Sequence, residues 1–288
     1  MRILVTGAGQ LAQTLRAKYA ELGTDVVMLG RNEMDITRYT VVKDIIQDFR
    51  PDIVYHTAAW TDVDACEDKP EKAYRVNSLG TRNVAIATER VGSKLVYISS
   101  DYVFSGDKGE GYHEFDTPDP ISIYGDSKLR GEEYVKDFLK RYFVVRTAWL
   151  FADEGRNFPR TIGRLAWEGQ DLKVVNDQIG SPTYCNHLVE VLTRLTQTEL
   201  YGTYHLVNSG STSWFLFAKA LLRELGVNPE LVKPIASNNL SRKAKRPANS
   251  VLISYTSEIA GLPHFPSWRD ALREWVKREK ASLVLDTR

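Results

Sequence analysis

Ile3-Leu4-Val5-Thr6-Gly7-Ala8-Gly9-Gln10-Leu11-Ala12 sets a β-favouring run, a glycine turn and the start of a helical pattern reaching about Leu22 in immediate succession. Glycines let a backbone pass close to a pyrophosphate, and a helix that starts there offers unpaired N–H groups and the positive end of its dipole. Gly7, Gly9, Gln10 and Leu11 are therefore candidate dinucleotide contacts. The string is G-x-G-x-x-A, and alone it fits a ligand-free strand-to-helix turn as well. Its context, strand before and helix after, is what favours the nucleotide.

Outward from this turn, Asp25 to Leu29 read as a second strand followed by Gly30 and Arg31. A site for NAD usually places an acid there for the ribose hydroxyls, whereas Arg31 suits a 2′-phosphate, so NADPH is expected over NADH. A solvated loop charge is the other reading of Arg31. Asp35-Ile36 is expected to border the adenine, and Thr37 to cap a helix reaching Phe49. The strand Pro51 to Tyr55 runs into His56-Thr57-Ala58-Ala59-Trp60, where small residues suit a backbone lying against a cofactor. His56 reads as a packed core residue. Asp62, Asp64, Glu67 and Asp68 sit at a helix start, where acids complement the dipole, and do not read as a metal site.

The chemistry concentrates between Val96 and Glu132. Val96 to Ser99 are a buried strand whose carboxyl end presents Ser99, Ser100 and Asp101. From Ser122 the pattern turns helical, and Tyr124 and Lys128, four apart, share one face. An ammonium beside a phenol favours phenolate, so the sequence predicts a lowered Tyr124 pKa and a usable general acid or base. Ser100 is placed to hold the carbonyl oxygen that the phenol protonates. Most Tyr-x-x-x-Lys pairs are helix surface; the order of fingerprint, hydroxyl-tipped strand and helix pair argues for catalysis. The loop Gly106 to Pro120 is expected to overlie the crevice, where it could act as a lid.

A further strand, Tyr142 to Thr147, ends at Ala148-Trp149, making Trp149 a candidate platform for a substrate ring, with core packing as the alternative. The strand and helix alternation predicts an α/β fold: a doubly wound parallel sheet of Rossmann type in residues 1–150. Residues 151–288 are expected to form a smaller mixed α/β substrate-binding region, with some segments returning to the sheet. Helices are expected around 157–167, 184–196, 213–225 and 268–277. Ser241 to Pro247 is the most basic run, either a solvated loop or a clamp in which Arg246 meets a diphosphate.

The 288 residues are 43% hydrophobic and 26% charged, with a net charge of +1, which offers no broad field for nucleic acid or a membrane surface. Cys66 and Cys185 lack disulfide-framework or zinc spacing. With no signal-peptide pattern and no spanning apolar run, the expected setting is cytoplasmic.

G-A-G-Q-L-A, A-A-W-T-D-V-D, S-D-Y-V-F, Y-G-D-S-K-L-R-G-E, R-T-A-W-L-F, N-D-Q-I-G-S-P-T and R-P-A-N-S-V-L together resemble the extended short-chain dehydrogenase/reductase family. Within it the chain is similar to the dTDP-4-dehydrorhamnose reductase branch. The resemblance spans nearly the whole chain. It implies an oxidoreductase that reduces the C4 ketone of dTDP-4-dehydro-L-rhamnose with NADPH, in dTDP-rhamnose and hence carbohydrate biosynthesis. It implies Tyr124 as proton donor, Lys128 as its partner and Ser100 beside them. It further implies Asp101, Tyr102 and Trp149 at the nucleotide sugar, and Asp35, Ile36, Ala58, Ala59 and Trp60 along the cofactor.

Two departures stand out. The glycine loop is one residue shorter than usual, with Ala12 where a glycine is common. Some members dimerise around magnesium held in part by a glutamate on the first helix, but Leu11-Ala12-Gln13-Thr14-Leu15 has no carboxylate, so no metal is assigned. Monomer and homodimer both remain open. The alternatives are an epimerase or dehydratase that keeps NAD bound, and a non-catalytic regulatory subunit on the same fold.

Overall fold

The computed structural model describes residues 1–286. Successive residues of a strand face opposite ways, and here both faces are apolar, as a sheet covered by helices on each side requires. The first half supplies β1 (Arg2–Thr6), β2 (Asp25–Leu29), β3 (Ile53–His56), β4 (Lys94–Ser100) and β5 (Tyr142–Thr147). In the second half β6 (Leu150–Phe151), β7 (Leu172–Val175), β8 (Ile179–Gly180) and β9 (Thr183–Tyr184) precede β10 (Gly202–His205), which returns beside β5. The main sheet runs β10-β5-β4-β3-β1-β2, parallel throughout.

Between the strands lie α1 (Gln10–Glu21), α2 (Tyr39–Phe49), α3 (Val63–Asp68), α4 (Pro70–Ala73), α5 (Thr81–Arg90) and α6 (Ile123–Phe138). Then come α7 (Phe158–Trp167), α8 (Cys185–Leu195), α9 (Trp214–Leu225), α10 (Thr256–Ile259) and α11 (Trp268–Asp286). Ile3, Val5, Tyr55, Val96 and Phe143 pack under Leu11 and Leu15 of α1 and Leu188 and Leu192 of α8. Leu4, Val54, Leu95 and Val144, one residue out of phase, pack under Val42, Ile46, Val84 and Val135 of α2, α5 and α6. The doubly wound reading therefore holds. A separate core around Phe151, Ile162, Phe217, Leu221, Trp268 and Trp275 belongs to the second half. There β11 (Thr212–Ser213) pairs with β8, and β12 (Val232–Ile235) with β7. No described helix is long and apolar enough to cross a membrane.

Strand order reverses between β1 and β3, and the crevice outside the carboxyl ends at such a point is where an open α/β sheet receives ligands. The glycine turn, the Ala58-Ala59 segment and the Ser100 tip all open there.

One local expectation differs. Thr37 does not cap α2: its N–H and hydroxyl both go to Asp35 Oδ1, at 3.0 and 2.8 Å, and Arg38 stands at the cap without a side-chain bond. The nearby carboxylate outcompetes the helix for the hydroxyl. Ahead of α5 the chain makes π-type turns over Tyr74–Gly80.

His56 is a core residue, fully buried between Thr6 Oγ1 (2.7 Å) and Thr81 Oγ1 (3.0 Å). Thr81 donates to the Asn77 carbonyl, so its oxygen takes the Nε2 proton and Nδ1 accepts from Thr6. Burial, with the Lys128 ammonium adding to it, pushes this imidazole down to about 3. Because the folded value lies below the ordinary 6.5, the stability tied to the neutral ring is present above pH 6.5 and is lost as pH falls toward 3. The urea midpoint is expected to drop between pH 6.5 and about pH 4.5, and to drop less in His56→Gln. Equal drops in both proteins would detach the effect from this histidine.

Candidate active site

Ser100 stands at the last position of β4, in register with Thr147 at the end of β5. Its hydroxyl donates to Asp101 Oδ1 at 2.9 Å, and Ser250 Oγ donates to the other carboxylate oxygen at 2.6 Å. Asp101 is thus a buried anchor that aims Ser100, and burial pushes its carboxyl up to about 6. The Tyr124 phenol, on the second residue of α6, faces the same crevice as Ser100 and packs edge-on against Tyr102 at 5.7 Å. α6 starts cleanly because Ser122 accepts the Gly125 N–H at 3.1 Å. Gly125 has no room for a side chain, since a Cβ would collide with the Tyr102 carbonyl.

Lys128, 2% exposed, donates to the Ile98 carbonyl at 2.7 Å and sits 4.3 Å above the Tyr97 ring. The expected lowering of the phenol does not occur: burial, the largest influence, drives Tyr124 upward, and burial pushes Lys128 down to about 7. Spacing along a helix shows the neighbouring charge but not the desolvation that both groups undergo on folding. In this state Tyr124 is a fully protonated acid at neutral pH.

A cleft of about 710 Å³ gathers these groups with Gly9, Gln10, Leu11, Ala59, Asp101, Tyr102 and Trp149. The groups read from distant parts of the sequence therefore meet. Gly7, at φ 94°, explains its own identity: a Cβ would stand 3.0 Å from Ala58 backbone atoms. A dinucleotide fits the donor set. α1 begins with no side-chain cap and no acid in its first turn, and the buried Gln10 Oε1 and Thr147 Oγ1 lack protein partners while both residues line the cleft.

Arg31 and Asp35 lie outside this cleft, in a second recess of about 700 Å³ that Lys69, Lys72 and Arg75 also line. Ile36 is buried in the core, where its side chain fills the space a Cβ on Gly80 would take. It is therefore a packing residue, not a lining one. Trp60 lies under the Lys72 ammonium at 4.1 Å, and Asn77 clamps its backbone, accepting Trp60 N–H at 2.8 Å and donating to Trp60 O and Ser127 Oγ. Trp149 lines the cleft with a left-handed backbone, φ 46°, and stacks on Trp214 at 3.6 Å. A Cβ on Gly180 would stand 2.5 Å from its ring, so that glycine leaves the indole its place.

Two further expectations are corrected. Arg246 is not a solvated loop charge: it is paired with Asp64, at 2.7 and 3.2 Å, and Lys243 is paired with Asp68. The acidic cluster and the basic run, 180 residues apart, are partners, which only the fold could reveal. The segment Gly106 to Pro120 is no free lid over the cleft. Glu114 accepts from His205 N, Tyr255 N and Thr256 Oγ1, Tyr112 stacks on Phe104 at 4.2 Å, and none of the segment lines the cleft.

A family model described as the RmlD substrate binding domain matches residues 1–281. The chain belongs to this family. Among curated relatives, the spore coat polysaccharide biosynthesis protein SpsK of Bacillus subtilis (strain 168) is 39% identical, covering 98% of this chain and 99% of its own. The dTDP-4-dehydrorhamnose reductase of Streptomyces griseus is 39% identical over 95% of this chain and 92% of that one. Among solved structures, dTDP-4-dehydrorhamnose reductase from Bacillus anthracis str. Ames in complex with NADP superposes with a TM-score of 0.92 at 43% identity. That match covers 95% of this chain and 98% of the other. The UDP-glucose 4-epimerase of Thermus thermophilus, at 20% identity and a TM-score of 0.80, shares the fold. The family likeness read from the motifs is thus confirmed, and the RmlD family supplies the frame for the cleft.

Proposed function

We propose that this chain reduces the C4 ketone of dTDP-4-dehydro-L-rhamnose to dTDP-L-rhamnose with NADPH. The observation that carries the reading is the convergence of the Tyr124 phenol, the Ser100 hydroxyl and the glycine turn on one cleft. Bound NADPH supplies the hydride to the ketone carbon. Tyr124 hands its proton to the ketone oxygen, Ser100 orients that oxygen from its seat on Asp101, and the Lys128 ammonium stabilises the phenolate left behind. Gly7, Gly9, Gln10 and Leu11 would hold the pyrophosphate, Ala58, Ala59 and Trp60 would flank the cofactor, and Lys128 would reach its nicotinamide ribose. Asp101, Tyr102 and Trp149 would line the dTDP-sugar side. Arg246, anchored on Asp64, would turn its remaining N–H groups toward the diphosphate.

On this reading residues 1–150 chiefly serve the cofactor and 151–288 the sugar nucleotide, in a cytoplasmic monomer or homodimer. The test is to follow NADPH absorbance with the keto sugar. One NADPH is expected to be oxidised per sugar reduced, and an inert intact protein rejects the reaction.

Arg31 is the proposed 2′-phosphate ligand, with Asp35 beside it. A charge-assisted hydrogen bond of about 1.5–3 kcal/mol corresponds to roughly 10- to 100-fold in binding. Arg31→Ala is therefore expected to raise KM for NADPH by at least about tenfold while leaving KM for NADH nearly unchanged. Parallel rises for both cofactors would assign the arginine to the adenosine or to the fold instead.

A further inference from the structure

Tyr124, Lys128 and Glu132 follow one another at four-residue steps on α6, so they form one line along the face pressed against the sheet. Glu132 is fully buried. Its Oε1 accepts from Ser99 Oγ at 2.6 Å and from Arg146 Nε at 2.9 Å, and its Oε2 accepts from the other Arg146 nitrogen at 2.7 Å. Ser99 and Arg146 are paired across β4 and β5, one step before the Ser100–Thr147 pair at the strand tips. One carboxylate thereby ties the catalytic face of α6 to two adjacent strands immediately beneath the cleft.

Stability alone does not account for it. A buried ion pair loses to a well-packed apolar replacement about as often as it wins, because both charges are stripped of water. Resting on the reductase reading, we infer that Glu132 is a positioning residue of the reaction: its carboxylate fixes the β4 tip against α6 and holds the Lys128 side chain in its charged form. The groups around Lys128 are His56 from β3, Tyr97 from β4, and Tyr124 and Glu132 from α6. His56 is neutral, and burial holds Tyr97 and Tyr124 protonated, so Glu132 is the anion among them. Around Glu132 itself stand Arg146 from β5, His205 from β10 next to that arginine, and Lys136 at 3.5 Å on α6. Burial pulls the lysine downward, and Glu132 is the group that opposes it.

The experiment titrates Lys128 directly in ligand-free protein, through the Cε resonance of isotope-labelled lysine, assigned with Lys128→Met. Glu132→Gln is expected to move the midpoint down by about one pH unit or more, a tenfold change in the ammonium fraction. Ser99→Ala, which removes a contact and keeps the charge, is expected to leave it in place. Turnover of Glu132→Gln should fall about tenfold with KM for the sugar near wild type, with partial recovery in Glu132→Asp. Should Glu132→Gln fail to fold, the double variant Glu132→Gln/Arg146→Met removes both buried charges and is expected to move the midpoint down by a smaller amount, because the lost guanidinium had also repelled the ammonium. A midpoint unmoved in the folded variant overturns the inference. A shift found in a protein whose wild type does not oxidise NADPH counts against the reductase reading while upholding the Glu132–Lys128 coupling.

Discussion

Tyr124→Phe is expected to lower turnover by at least about 10²-fold, the low end of what a positioned general acid contributes, while NADPH affinity stays near wild type. The substitution deletes one oxygen and keeps the ring, so the edge-on packing against Tyr102 survives. What disappears is the proton donor that shares the cleft with Ser100. Burial holds the phenol protonated through the neutral range, which suits the direction of the reaction: ketone reduction begins with the acid in hand and ends with phenolate. Tyr124 lines the open cleft, so water is the alternative donor, and the residual rate of the variant is expected to come from it. The measurement is steady-state turnover with the keto sugar together with NADPH binding followed by fluorescence. Turnover within threefold or so of wild type would remove Tyr124 from the mechanism, since even modest acid catalysis exceeds that.

The sheet was legible because its signals are local. The glycine turn after β1, the apolar runs of β3 to β5 and the four-residue spacing of Tyr124 and Lys128 each state their geometry within about ten residues. Ser100 was legible for the same reason, as the hydroxyl at the end of an apolar run. Pairings set by tertiary packing were not. Asp64 with Arg246 and Glu114 with the 255–256 backbone join residues more than 140 apart, and each acid or base by itself looks like solvated surface. Glu132 was present in the motif as its last letter, yet nothing in a helical pattern tells a buried carboxylate from an exposed one until Arg146 and Ser99 are seen beside it. The phenol pKa failed for a related reason: a neighbouring charge can be read from spacing, whereas the water lost on folding cannot.

Lys128→Met is expected to cost at least about 10²-fold in kcat/KM for the sugar and, unlike Tyr124→Phe, to weaken NADPH binding as well. Methionine preserves most of the length and apolar stem, so the loss isolates the ammonium, which now touches the Ile98 carbonyl and the Tyr97 face. Both proposed roles, stabilising the phenolate and holding the ribose, require the charged form. With the lysine pushed down to about 7, that form fades in the ligand-free protein as pH rises through this value. On the acid side, Asp101 with its carboxyl raised to about 6 must be ionised to accept from both Ser100 and Ser250. kcat/KM for NADPH, which reports groups of the free protein, is therefore expected to rise with pH through about 6 and fall again above about 7, a narrow bell. Ser250→Ala removes one of the bonds that favour the Asp101 carboxylate and is expected to move the acid limb to higher pH, leaving the alkaline limb where it was. A flat profile across this range would show that neither buried group gates the reaction, and an acid limb unmoved in Ser250→Ala would separate Asp101 from it.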